Sequence, residues 1–297
     1  PPTTTPALTF DQQVPRALAH RHAIGEVFVT DSARLAEDAF AVAAVLPRTH
    51  WFYSDRPEPA PGPMALLEAC RQACTVVVHR YFDVPAQTAF LVGGWRLEFN
   101  ASTETELVLH VRTSGMRRRK GVLSALRLDL EVTAGGEPVG TARIDASYLA
   151  TNLYTDMRNL RRTTTAPLSG TLPATRAGTL VPAAQVGRRL PENVLLTGAT
   201  REAGGARATL DVPVDHACLY DHPLDHVPAM ALMEAAQQAA VYAAGGGAVR
   251  GLRAGFTRIV ELDEPTAVEA ATGSDASISV EFRQAGLVAC QAEVTLR

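Results

Sequence analysis

Two glutamates stand inside stretches that are otherwise apolar all round: Glu68 within 64–82 and Glu234 within 230–244. An ionised carboxylate in such surroundings is costly unless paired, and burial alone raises its pKa. A carboxyl raised toward neutrality is what a general base for a hydroxyl nucleophile requires. The alternative is a structural acid bonded to a neighbouring loop. On the catalytic reading, Glu→Gln removes a buried charge and leaves stability unchanged or higher. Arg71 and Gln72 follow Glu68 by three and four positions, and Gln237 and Gln238 follow Glu234 in the same way, which puts each trio on one helical face. Arg71 either neutralises Glu68 or offers its planar fork to an anionic substrate. His222 and His226 lie in the loop feeding the second helix, where an imidazole could move a proton beside unpaired helix amides. Bonding to loop carbonyls is their other reading.

Other reactive types say less. His50 and His216 read as structural strand-end histidines, and the basic run 117–120 reads as a hairpin tip or as a landing site for an acidic carrier protein. Cys70, Cys74, Cys218 and Cys290 form no CxxC pair, so neither a metal site nor a disulfide framework is expected. Gly245, Gly246 and Gly247 follow a helix rather than precede one, so they suit a cap and not a phosphate loop. No GxSxG or dinucleotide fingerprint occurs.

The elements that carry these residues repeat. A shift of 166 places Pro47 on Pro213, His50 on His216, Asp55 on Asp221 and Pro57 on Pro223. It also places 64–69 on 230–235 and Gln72 on Gln238. Shifts of 167 and 157 match Arg21 to Arg188 and Arg96 to Arg253. The chain therefore reads as two copies of one domain, 15–155 and 180–297, joined by a linker at 156–179 whose Thr/Pro/Gly/Ser composition suits no core. Each copy reads as two strands (26–30 and 40–46; 193–197 and 206–212), a proline-punctuated loop, one buried helix, then alternating strands. In the first copy these lie at 95–99, 106–112, 122–133 and 139–149, and in the second at 252–262, 277–284 and 286–296. One helix wrapped by an antiparallel sheet is the hot-dog arrangement. The expectation is an α+β tandem double hot-dog, the copies joined as an intramolecular pseudo-dimer and open to further homo-oligomerisation.

Composition sets the outer bounds. At 297 residues, 46% apolar, 20% charged and 6% aromatic, the chain suits two ordinary soluble domains. A net charge of −3 argues against nucleic acid as the main partner. No apolar run approaches a membrane span, and Pro1 to Thr5 lack a signal-peptide pattern, so a cytoplasmic location without membrane contact is expected.

The string Asp221-His222-Pro223-Leu224-Asp225-His226-Val227-Pro228-Ala229-Met230, continued by Glu234-Ala235-Ala236-Gln237-Gln238-Ala239-Ala240, resembles the signature of the A-factor biosynthesis family of hot-dog proteins. The first copy is similar to that family's amino-terminal half in 26–31, 47–53 and 67–73. More distantly, 228–238 resembles the central-helix entry of hydroxyacyl carrier-protein dehydratases. The family resemblance implies an acyltransferase that joins a β-ketoacyl group from acyl carrier protein to dihydroxyacetone phosphate, or a similar small phosphorylated acceptor, in γ-butyrolactone signal biosynthesis. It implies no resident cofactor, because the substrate rides on the carrier's phosphopantetheine arm. Glu68, Glu234 and His222 are then the catalytic candidates, and Arg71, His226, Gln237 and Gln238 the substrate-binding ones. By analogy with the dehydratases, a loop histidine would work with a helix acid of the adjoining copy. Two departures stand out: Gln237 replaces the family's arginine and Ala229 its helix-entry glycine. Weaker phosphate binding follows, with Arg71 compensating in part. A dehydratase or thioesterase acting on a carrier-bound acyl chain, and a non-catalytic acyl-binding double hot-dog, are the alternatives.

Overall fold

A computed structural model describes residues 7–58, 61–100, 102–273 and 276–297. The first five residues, read above for a targeting signal, lie outside the described residues. Contacts divide the chain into two units. The first holds the chain up to Thr49 with Ala60–Gly93 and Leu97–Thr155; the second holds Asp156–Arg297 together with His50–Pro59 and Gly94–Arg96.

In the first unit β1 (Val29–Arg34) and β2 (Ala39–Val45) precede α1 (Pro63–Phe82). Then come β3 (Ala89–Phe99), β4 (Glu106–Arg119), β5 (Val122–Ala134) and β6 (Glu137–Leu149), and the short helix α2 (Thr151–Asn159) leads out. The strands lie in the order β1-β2-β4-β5-β6-β3, and α1 packs on the sheet. The second unit repeats the plan with β7 (Leu196–Glu202), β8 (Gly205–Leu210), α3 (Ala229–Ala244), β9 (Val249–Phe256), β10 (Ala267–Thr272), β11 (Ser277–Gln284) and β12 (Leu287–Leu296). Its order is β9-β12-β11-β10-β8-β7, with α3 laid against these strands. This is a tandem double hot-dog.

Both helices are buried on nearly every side, so the polar groups they carry, Glu68 with Gln72 and Glu234 with Gln238, must find partners inside the fold. Pro63 opens α1 at a position where its missing N–H costs nothing. Gly245, at φ 77°, ends α3 by donating its N–H to the Tyr242 carbonyl. The strands alternate as a half-buried sheet should: Leu107, Leu109 and Val111 on β4, and Ile278, Val280 and Phe282 on β11, all face inward.

Four details differ from the sequence reading, each for a physical reason. Residues 26–28 and 193–195 are not strand, because the side chains of Gln72 and Gln238 take the carbonyls of Glu26 and Asn193 and the amides of Phe28 and Leu195, leaving the carbonyls of Phe28 and Leu195 to the neighbouring chain. β4 runs on to Arg119, since its ladder with β5 continues through exposed polar residues that apolar periodicity cannot register. β9 stops at Phe256, and β10 is a further strand, too short at six residues and too rich in alanine for alternation to mark it. Finally, 156–179 is packed within the second unit by polar groups. Ser169 donates its N–H to the Leu224 carbonyl and accepts from the Leu224 N–H, and buried Arg158 binds Asp225 and Glu261. Composition alone reads such a stretch as a linker.

The turn between β11 and β12 places Ala285 at φ 47° ahead of Gly286 at φ 75°. A non-glycine residue there is strained, so Ala285→Gly is expected to raise stability by about 0.5–1 kcal/mol. Chemical-denaturation midpoints check this.

Candidate functional site

The central helices present the same constellation twice. In the first unit Glu68 is fully buried on α1. Arg21 donates Nε–H to Glu68 Oε1 at 2.9 Å and sets Nη2 2.6 Å away. Arg71 grips the same carboxylate from both sides of its fork, Nε to Oε2 at 2.8 Å and Nη2 to Oε1 at 2.7 Å, and also donates to the Ala19 carbonyl. Gln72 donates to Glu68 at 2.7 Å and to the Glu26 carbonyl at 2.6 Å, while its Oε1 accepts from Phe28 N at 2.7 Å.

The second unit repeats the arginine, glutamate and glutamine, with Gln237 where α1 has Arg71. Arg188 donates Nε–H to Glu234 Oε1 at 2.8 Å, with Nη2 on Oε2. Gln238 donates to Glu234 and to the Asn193 carbonyl, and accepts from Leu195 N at 2.8 Å. Gln237 donates to Glu234 Oε2. Loop 50–59, although it belongs to the first sequence copy, completes this site. Arg188 donates to the Phe52 and Asp55 carbonyls and lies over the Phe52 ring. Asp55 accepts from the amides of Arg189 and Leu190 and from Asn193 Nδ2.

This geometry corrects the acid–base expectation. Burial pushes the Glu68 carboxyl up, but the guanidiniums of Arg21 and Arg71 outweigh it and hold the pKa at about 2. Glu234 is lowered likewise: burial raises it, and Arg188 with its hydrogen bonds overrides that. Both are fixed anions, poor at taking a proton near pH 7. Arg71 is occupied by Glu68, and Gln238 is spent on strand-entry backbone.

The imidazoles of the loop before α3 stand otherwise. His226 Nδ1 lies 2.7 Å from Asp225 Oδ1. Asp225 is itself held by Arg158, whose other end grips Glu261. A carboxylate on Nδ1 fixes the tautomer that leaves Nε2 with a lone pair. His222 Nδ1 lies 3.5 Å from buried Asp221. His216 is structural, as expected. Burial depresses its pKa to about 4, Leu219 N donates to its Nδ1, and its Nε2 bonds Asn193. His50 accepts from Phe52 and Tyr53 amides in the matching place. Burial pushes the Cys70 thiol up to about 12 and Cys74 well above its usual value, so both stay protonated thiols.

Sequence reasoning matched Arg21 with Arg188 but gave the pair no role. It missed Asp225 as a carboxylate orienting His226 and Arg56 as a site residue. The sequence signals were the shift-167 match and the Asp-His doublets.

The model of the A-factor biosynthesis hotdog domain (AfsA) matches residues 3–150 and 171–297. The chain belongs to this family. Two relatives are named 2-oxo-3-(phosphooxy)propyl 3-oxoalkanoate synthase. The one from Streptomyces virginiae is 33% identical over 270 residues, covering 86% of each chain. The one from Streptomyces coelicolor is 30% identical over 269 residues, covering 86% of this chain and 81% of that protein. Among solved structures, an acyl-ACP thioesterase from Bacteroides thetaiotaomicron shares the fold at a TM-score of 0.50 and 10% identity, covering 89% of this chain and all of that one.

Family membership makes the paired glutamates a testable feature. Glu68→Gln strips the countercharge from buried Arg21 and part-buried Arg71 and is expected to destabilise by about 3–5 kcal/mol, not to leave stability intact. Equilibrium unfolding of the variant checks this. Acid acts on the same cluster. Because Glu68 in the fold holds its proton more weakly than the unfolded chain does, stability is full above about pH 4.5 and is lost as pH falls toward 2. His216, depressed to about 4, removes stability in the same direction between pH 6.5 and 4. Denaturant midpoints should therefore fall in two stages below pH 6.5, and the lower stage should shrink in Glu68→Gln, with Glu234 keeping its own share.

Proposed function

We propose that this enzyme makes a 2-oxo-3-(phosphooxy)propyl 3-oxoalkanoate by joining a β-ketoacyl group to the hydroxyl of dihydroxyacetone phosphate. The acyl group arrives as a thioester on the phosphopantetheine arm of acyl carrier protein. The acceptor oxygen bonds to the acyl carbon, the carbon–sulfur bond breaks, and the acceptor's proton ends on the departing thiol. The ester then closes by intramolecular condensation to a butenolide phosphate. The observation that carries this reading is family membership with 30–33% identity, across most of the chain, to synthases bearing that one name. The reading calls on no resident cofactor or metal and places the reaction in the cytoplasm.

Within it, the roles shift from those expected of the carboxylates. The acceptor hydroxyl is a poor nucleophile until deprotonated, and an imidazole oriented by a carboxylate can take that proton. His226, oriented by Asp225, is the proposed base, and His222 assists as a second proton carrier. Glu68 and Glu234 are positioning residues, anions that hold Arg21, Arg71 and Arg188 in place. The first amides of α3, at Ala229, would face the thioester oxygen as charge develops. The exposed tip at Arg117–Arg119 offers positive charge to an acidic carrier protein.

Incubating the protein with a β-ketoacyl carrier protein and dihydroxyacetone phosphate, followed by mass analysis, is expected to show the phosphorylated ester with loss of the acyl group from the carrier. Free β-keto acid released at the same rate without acceptor would show a thioesterase instead. His226→Gln is expected to lower kcat by about 10²–10⁴-fold, and Asp225→Asn by less, both folding normally by circular dichroism. If His226→Gln keeps its turnover and His222→Gln loses it, the base is His222.

A further inference from the structure

Gln237 leaves α3 one guanidinium short of α1, and the chain supplies another from elsewhere. Arg56, which the 166-residue shift matches to His222, enters the second unit on loop 50–59. Its Nη1 lies 3.4 Å from Gln237 Oε1. Gln237 in turn donates to Glu234, so the amide relays between carboxylate and guanidinium. The site thus has two guanidiniums, Arg188 and Arg56, beside Glu234, as Arg21 and Arg71 stand beside Glu68. An arginine at 237 would put a third cation against these two, which gives a physical reason for glutamine there.

Arg56 and Arg188 differ in what they have left to give. Arg188 is spent on Glu234 and two backbone carbonyls. The Arg56 side chain is only 11% exposed, yet its carboxylate partner among the described residues is Glu58, 3.5 Å from Nε and 44% exposed. Charge-assisted hydrogen bonds of arginine usually run about 2.7–2.9 Å, and the group carries five N–H donors. Burial and the nearby Arg188 charge both act against the Arg56 cation, which marks a place short of negative charge. Arg56 lines a cavity of about 360 Å³ together with Glu58, Arg188, Gln237, Val241 and Val249. That volume is at the small end of ligand pockets, which span roughly 300–1,000 Å³. Its lining sets the cations Arg56 and Arg188 among the aliphatic Val186, Val241 and Val249.

We propose that this cavity binds a small phosphate monoester, with Arg56 as the anion-binding residue, Gln237 as its support and Glu58 as a carboxylate that the ligand displaces. A monocarboxylate would gain nothing over Glu58, whereas a phosphate dianion brings more charge and more acceptor oxygens to the unused donors. The identification of that monoester with dihydroxyacetone phosphate rests on the proposed reaction but not on His226 as its base, since Gln237 stands about two turns of α3 beyond Ala229; the anion site itself rests on neither. Arg56 thereby supplies the charge missing at position 237, a task that Arg71, committed to Glu68, cannot take.

The test is calorimetric titration of the whole protein with dihydroxyacetone phosphate in the absence of acyl donor. Arg56→Gln is expected to weaken binding at least tenfold, and R56Q/Q237R to regain at least threefold of that loss. Glu58→Gln, on the exposed rim, is expected to tighten binding about threefold and keeps the test open should Arg56→Gln fold poorly. In turnover, Arg56→Gln should raise KM for the acceptor and leave KM for the acyl carrier unchanged; the reverse would assign the cavity to the phosphodiester of the carrier's arm and overturn the proposal. Wild-type affinity in Arg56→Gln, or unchanged affinity in Glu58→Gln, overturns it as well. Arg56-dependent binding without ester formation would leave the site standing and remove the proposed reaction. Ester formation indifferent to Arg56 would do the opposite.

Discussion

The burial of one carboxylate per helix is the constraint around which each unit is arranged. A helix packed on all sides has no room for an uncompensated charge. Glu68 and Glu234 are tolerated because an arginine from the preceding segment and a glutamine one helical turn on meet them at hydrogen-bond distance. The same glutamine reaches past the carboxylate to a carbonyl and an amide of the segment entering the sheet. Each cluster therefore ties the helix to its first strand. Such buried networks are worth keeping only when every member is satisfied.

That arrangement also decides what the carboxylates can do. The sequence argument treated burial as the dominant influence on their proton affinity, and burial does act in that direction. It could not weigh the guanidiniums, because Arg21 and Arg188 lie 47 and 46 residues from the glutamates they contact. Once those charges are adjacent, the carboxylates become permanent anions. His226 is oriented by a separate chain of contacts, from Glu261 through Arg158 and Asp225. Three distant parts of the chain thus hold one imidazole.

The duplication is faithful in its scaffold and unequal in its chemistry. Arginine, glutamate and glutamine recur in both clusters with the same contacts. The copies differ at Arg71 against Gln237, each still bonded to its glutamate, and at His222 against Arg56 in the loops. An amide can replace a guanidinium beside the carboxylate because another arginine remains on it in each copy. One copy's loop therefore carries histidines where the other's carries a cation.

The sequence alone determined the duplication, the buried helices and most strands, because apolar periodicity and a 166-residue self-match are local or one-dimensional signals. It determined the family too, through the Asp-His-Pro-Leu-Asp-His loop and the helix that follows it. It singled out Glu68, Glu234, His222 and Gln237 as residues out of keeping with their surroundings. Only the tertiary structure decided the charge of the two glutamates and the partners of Gln237. It alone showed Gln72 and Gln238 replacing strand neighbours at 26–28 and 193–195, loop 50–59 completing the second unit, and Arg56 set beside Gln237. The physical reason is the same in each case. A pKa, a hydrogen bond or an ion pair depends on what lies within a few ångströms, and here those neighbours come from residues tens to more than a hundred positions away.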